Sequence, residues 1–148
     1  MKRFRRILHP TDFSRASGAA FARAIAMAKD NRAELLLVHV MTPYVPVAGE
    51  GYMPPRLWEE MEASTRGYAT KKLGALAAKA RKAGARVKTL LLEGVPAERI
   101  ARAAKSQRAE LIVIGTHGRT GLARFFVGSV ADRVVSMASC PVMTVRGR

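Results

Sequence analysis

The sequence predicts an α/β fold, a doubly wound parallel sheet of five strands with helices on both faces. Three observations predict it. Apolar runs of strand length alternate with segments of helical period from end to end. The run Leu35-Leu36-Leu37-Val38-His39-Val40 is almost continuously apolar, as a strand covered on both faces must be. Near the C-terminus a glycine-bearing segment lies between a strand-like run and a helix-like one. Such alternation implies parallel strands joined by right-handed crossovers, and 148 residues suffice for one domain, 1–148, with its own core.

Ile7-Leu8 opens the first strand, which stops at Pro10. Ala16, Ala20, Phe21, Ala24 and Ala28 then recur at helical spacing, with Asp12, Ser14 and Ser17 as candidate caps. Leu35 to Val40 is the second strand. Thr42 to Pro55, rich in Pro and Gly, is the one long loop. Trp58 to Ala83 is a helix with Ala69, Leu73, Leu76, Ala80 and Ala83 on one face, and Gly84 stands where its C-terminus needs glycine. Val87 to Leu92 is the third strand; Gly94 turns the chain and Pro96 suits the first position of a helix that buries Ile100, Ala103 and Ala104. Leu111 to Ile114 is the fourth strand, Val130 to Ala138 a helix and Val142 to Val145 the fifth strand.

The glycine pattern is Gly115-Thr116-His117-Gly118, nine residues, then Gly128-Ser129. Glycine lets backbone amides approach a phosphate, and the amides and positive dipole end of the following helix hold it. Ligands of such folds bind beyond the carboxyl ends of the strands, where the winding reverses. The glycine loop lies at one carboxyl end and Pro10-Thr11-Asp12 at another. If the first and fourth strands are neighbours, both face one crevice.

Other chemistry is sparse. There is no Walker-type Gly-Lys-Ser/Thr, no Gly-x-Gly-x-x-Gly after the first strand and no Gly-x-Ser-x-Gly elbow. No positioned nucleophile or carboxylate pair stands out, so binding is favoured over turnover. His9, His39 and His117 fall near the ends of three strands and would converge on one edge. They read either as a ligand- or metal-contacting cluster, or as hydrogen-bonded packing residues with His117 in the loop beside the phosphate. Cys140, the single cysteine, excludes an intramolecular disulfide, fits a reducing cytoplasm, and stands where packing rather than reactivity is expected. The basic N-terminus lacks the apolar run of a secretory signal, and no apolar run approaches the roughly 20 residues that cross a bilayer.

The net charge of +15 is unusual. Basic surfaces attract phosphate backbones. Here the charges are spread along the chain, without aromatic interleaving, zinc-finger spacing or a basic zipper. Specific nucleic-acid binding is therefore not expected.

Gly115-x2-Gly118-x9-Gly128-Ser129 resembles the ATP-binding signature of the universal stress protein family. Ile7-Leu8-His9-Pro10-Thr11-Asp12-Phe13-Ser14 is similar to that family's first strand and turn, Leu36 to Val40 to its second strand, and Ser139 to Val145 to its last. The resemblance spans nearly the whole chain. It implies a Rossmann-like sheet ordered 3-2-1-4-5 that binds ATP. Asp12 would accept hydrogen bonds near the adenine, with Pro10 and Thr11 shaping that wall and Val40 covering the base. Ile114 and Gly115 would lie beside the ribose and first phosphates. Gly118, Gly128, Ser129 and Val130 would hold the phosphates, with Arg119 facing them. The resemblance also implies a magnesium or manganese ion carried by the phosphates, a homodimer paired through Val142 to Val145, and a cytoplasmic stress-response or regulatory module with slow ATP hydrolysis at most. Gly121 after Arg119-Thr120 and the high charge depart from the family pattern. The alternatives are an interaction protein that binds no nucleotide and, less favoured, a basic nucleic-acid binder.

Overall fold

In the computed structural model, which describes residues 3–43, 51–116 and 128–147, the strands are β1 (Arg6–Pro10), β2 (Glu34–Met41), β3 (Arg86–Glu93), β4 (Leu111–Gly115) and β5 (Val142–Val145). The helices are α1 (Gly18–Asn31), α2 (Pro55–Lys82), α3 (Pro96–Ser106) and α4 (Ser129–Met137). All strand pairs are parallel and the order is β3-β2-β1-β4-β5. The winding therefore reverses between β1 and β4, as expected.

Period-two alternation divides each buried strand between two cores. Ile7, Leu35, Leu37 and Val113 pack with the apolar faces of α1 and α2. Leu8, Leu36, Val38 and Ile112 pack with Ile100, Ala103, Ala131 and Val134 of α3 and α4. Small alanines on the helices let them sit close to the sheet.

Three local details differ from the sequence reading. A single 3-10 turn, Arg15–Ser17, precedes α1, because the Ser14 side chain accepts from Ser17 N and caps that turn instead of the α-helix. Helix α2 starts at Pro55, earlier than Trp58, since proline at the first position needs no hydrogen bond and already has helical φ. Its buried stripe is Ala69, Leu73, Ala77 and Ala80; Leu76 is only half-buried and Ala83 is exposed. Gly84 and Gly94 do turn the chain, at φ +102° and +137°.

The reversal point has a specific cause. Thr11 N donates to Val38 O, so the odd-numbered amides of β1 face β2. The even-numbered positions, Leu8 and Pro10, face β4. Pairing of β1 with β2 continues to Pro10, but pairing with β4 ends at Leu8–Ile112. The next ladder bond would run from Pro10 to the Val113 carbonyl, and proline has no N–H. His9 takes its place: its Nδ1 donates to Val113 O at 2.9 Å. Beyond that point β1 and β4 part.

The His9 ring is fully buried against Phe21, and among the described residues its Nε2 has no hydrogen-bond partner. Burial lowers its pKa from 6.5 to about 4, against the opposing effects of the Val113 bond and the Asp12 charge. The folded state thus holds His9 neutral, whereas the unfolded chain takes up a proton below pH 6.5. Stability from this group is complete above pH 6.5 and is lost as pH falls towards 4. Urea denaturation at pH 7 and pH 4 should show the wild type losing on the order of 3 kcal/mol more than His9→Gln. Equal losses would show that His9 does not titrate as a buried neutral ring.

Candidate functional site

Where β1 and β4 diverge, a crevice of about 240 Å³ opens at the carboxyl ends of the strands. Pro10, Thr11 and Asp12 form one wall, and Val38 and Val40 of β2 extend it. Ile114, Gly115 and Thr116 form the opposite side, continued by Gly128, Ser129 and Val130. Pro96 and Ile100 of α3 close one flank. The structure thus brings together Pro10, Thr11, Asp12, Val40, Ile114, Gly115, Gly128, Ser129 and Val130 around one cavity. His117, Gly118, Arg119 and Gly121 lie outside the described residues.

The first wall is a rigid turn. Phe13 has φ +64°, a left-handed conformation that costs a bulky residue about 1–2 kcal/mol. Hydrogen bonds hold it there. Phe13 N donates to Thr11 Oγ1 at 3.0 Å, and Ser14 N donates to Asp12 Oδ1 at 2.9 Å. Ser17 Oγ donates to Ser14 O at 2.8 Å, so in its 3.3 Å contact with Thr11 Oγ1 the threonine is the donor. The chain of donors runs from the Phe13 amide through two hydroxyls to a carbonyl. On the far side His39 Nδ1 donates to Thr11 O at 2.7 Å, and its ring stacks on Phe13 with centroids 4.2 Å apart.

His9 and His39 each spend Nδ1 on a main-chain carbonyl; His9 is fully buried, whereas His39 also lines the crevice. Cys140 is half-buried against the α3/α4 core, where burial raises its thiol pKa.

The second wall ends in backbone. Thr116 N donates to Val145 O at 3.0 Å, and Gly128 N donates to the Thr116 carbonyl, which ties together the two ends of the intervening segment. Gly128 is the N-cap of α4 and has no side chain to cap it; the first intrahelical bond there is Asp132 N to Gly128 O at 2.9 Å. The amides of Ser129, Val130 and Ala131 accordingly have no acceptor within the helix, at its positive dipole end. At Gly115, which lines the crevice, a Cβ would meet the Ala16–Ser17 backbone and Ala20 at ordinary contact distances of 3.6–3.8 Å. An alanine would fit.

Sequence reasoning missed Ser17, Thr116, Pro96 and Ile100 as lining residues. The α3 pair carried no motif, only its place at the start of a helix on the face that the crevice opens to.

Residues 3–146 match the model of the universal stress protein family. The chain belongs to that family. Universal stress protein MJ0531 of Methanocaldococcus jannaschii is 37% identical over 145 residues, spanning 97% of this chain and 82% of the relative. Among solved structures, MJ0577 of the same organism superposes with a TM-score of 0.83 at 25% identity over 99% of both chains. The universal stress protein from Archaeoglobus fulgidus in complex with dAMP superposes with a TM-score of 0.67 at 25% identity, covering 98% of this chain and 100% of that one. This universal stress protein thus shares the family's α/β sheet, and no helix of its described residues is long and apolar enough to cross a membrane.

The hydroxyl chain of the turn contributes to stability. Thr11→Val keeps the shape but strands the Phe13 amide and removes the hydroxyl that donates to Ser17 Oγ. Urea unfolding at pH 7 should show a loss of about 1–3 kcal/mol; an unchanged midpoint would refute the role given to the hydroxyl chain.

Proposed function

We propose that this universal stress protein binds an adenine nucleotide in the β1/β4 crevice and acts as a regulatory module rather than a catalyst. The observation that carries the reading is the start of α4, where Gly128 offers no capping side chain, facing the same cavity as the Thr11–Asp12 turn. Phosphates fit a helix N-terminus through its amides and dipole. The base fits the other half, where Val38, Val40 and Ile100 supply an apolar floor and Asp12 an acceptor. The dAMP complex of the Archaeoglobus fulgidus relative supports the ligand class. ATP is the proposed ligand, its tail running from Ile114 and Gly115 towards Gly128, Ser129 and the segment holding His117, Gly118 and Arg119. A magnesium or manganese ion would ride on the phosphate oxygens.

The proposed assembly is a homodimer through the edge strand β5, whose residues Val142, Met143 and Val145 are half-buried in the single chain. A stress-response role in the cytoplasm completes the proposal.

Calorimetry with ATP, AMP and adenosine tests it. Gly128 has φ −57° and ψ 151°, which any residue adopts, so Gly128→Val places methyl groups at the crevice without straining the backbone. Wild type should bind ATP and AMP. The variant should lose about tenfold or more of AMP affinity, equivalent to about 1.4 kcal/mol, with adenosine much less affected. Absence of heat with every adenine nucleotide would favour the nucleotide-free interaction protein instead.

A further inference from the structure

The basic residues that are dispersed along the chain are gathered by the fold. In a parallel sheet every helix-to-strand connection lies at one end, here the end opposite the crevice. Arg5 and Arg6 enter β1 there, Arg32 precedes β2, Arg86 opens β3 and Arg108 precedes β4. The last turns of α1, α2 and α3 add Lys29, Arg81, Lys82 and Lys105 at the same end.

These groups are neighbours. Arg6 Nη1 donates to Gln107 O at 2.8 Å, and Lys88 Nζ donates to the Gln107 side chain at 3.1 Å. Arg86 Nη2 donates to Arg32 O at 2.8 Å, and Arg81 Nη2 to Val87 O at 3.0 Å. Three guanidinium groups, of Arg6, Arg81 and Arg86, are thus held by main-chain carbonyls, which orient them without neutralising their charge. Among the described residues the carboxylates at this end are Asp30, Glu34 and Glu110, and the ion pairs they make, Arg5–Glu110 and Arg6–Glu34, are long at 3.8 Å. The other end holds Asp12, Glu93, Glu98 and Asp132, and the first turns of α2 carry Glu59, Glu60 and Glu62. Arg15, Arg56, Arg66, Arg99 and Arg133 also lie towards that end, so among the described residues the excess of cations over carboxylates is concentrated where the strands begin.

Helix dipoles explain some of this, since cations favour helix C-termini. Arg32, the C-cap of α1, and Arg108, next to the C-cap of α3, also fit that account. It does not explain Arg5, Arg6 or Arg86, which lie beyond any helix end.

We propose that this pole binds the phosphate backbone of double-stranded nucleic acid without reading its sequence. Oriented guanidinium groups match phosphate oxygens. A protein partner would need an apolar anchor. Of the exposed large apolar side chains among the described residues, only Met137 at the end of α4, beside the β5 edge, reaches this end. Stacking on single strands would need exposed aromatic rings; Phe4, beside Arg5 at this end, is half-buried against the α1/α2 core. Absence of a motif argued against specific recognition; it does not bear on backbone binding, which requires only the gathered charge.

Fluorescence anisotropy with a 25-base-pair duplex of arbitrary sequence tests this at 50 and 200 mM KCl. With about six phosphates engaged, affinity should fall roughly a thousandfold between the two salts, alike for unrelated sequences. The triple variant Lys82→Gln/Lys105→Gln/Arg108→Asn, all exposed positions, should reduce the salt slope by about 2 to 3. Arg56→Gln/Arg66→Gln/Arg133→Gln removes the same charge near the other end and should leave the slope unchanged. Should the first triple variant fail to fold, Lys82→Gln and Lys105→Gln singly should each lower the slope by about 1. Saturating AMP should not compete, which separates this surface from the crevice. Equal effects of the two triple variants, no duplex binding at 50 mM, binding to phosphatidylserine vesicles but not to duplex, or displacement by AMP would each overturn the proposal.

Discussion

The carbonyl of Val113 is the point on which the crevice depends. In an uninterrupted sheet it would accept from the amide of the residue at position 10, and β1 and β4 would stay paired to their ends. Proline at that position removes the donor, and an abandoned buried carbonyl would cost about 1–3 kcal/mol. His9 satisfies it from the adjacent position, at 2.9 Å, while its ring fills space against Phe21. The dipeptide His9-Pro10 therefore both ends the ladder and repairs the gap it leaves. Pairing with β2 is untouched, because the odd-numbered amides of β1 serve that side. The sheet opens on one side only, at the place where the winding reverses.

The turn that follows inherits this geometry and stiffens it. A left-handed Phe13 is unfavourable alone, but its amide, ring and neighbours each have a partner: the Thr11 hydroxyl, the His39 ring, and the Asp12 side chain that accepts from Ser14. Strain placed there keeps Thr11 and Asp12 at the crevice mouth rather than folded back over α1. Preorganisation of this kind lowers the ordering cost of binding a ligand. The opposite wall achieves a comparable rigidity differently, by fastening Thr116 to both Val145 and Gly128.

Most of the fold was legible because its signals are local. Continuous apolar runs named the strands, Pro96 and Gly94 marked a helix start and a turn, and alternation fixed the sheet type; the strand order came from the family resemblance. What was not legible depends on contacts distant in sequence. The His9–Val113 bond joins residues 104 positions apart, and nothing in the first strand announces which carbonyl is left over. The roles of Ser17 and His39 likewise follow from how the turn closes. Ala77 displaced Leu76 from the buried stripe because the rotation of α2 is set by its packing on the sheet, not by the largest side chain available. In the crevice, the motif found Gly128 and Ser129, but Ile100 and Pro96 arrive from an element without a motif. The Cβ direction of Gly115 points to the 3-10 turn, where a methyl group would find room, which the glycine spacing alone does not reveal.

The two ends of the molecule present anions with different chemistry, and the parallel topology is the reason. Every helix runs antiparallel to the strands, so helix N-termini collect at the crevice and C-termini at the opposite end. At the crevice the donors are neutral amides whose partial charges are fixed in direction, suited to one phosphate group in one position. They tolerate carboxylates such as Asp132 and Glu98 nearby, which favour the same dipole ends. At the opposite end the dipoles call for cations, and the chain supplies more of them than the dipoles need. The excess consists of full charges on long side chains, suited to a repeating array of phosphates rather than to one. If both proposals hold, a single fold separates recognition of a small anion from adhesion to a large one, with the sheet as the spacer between them.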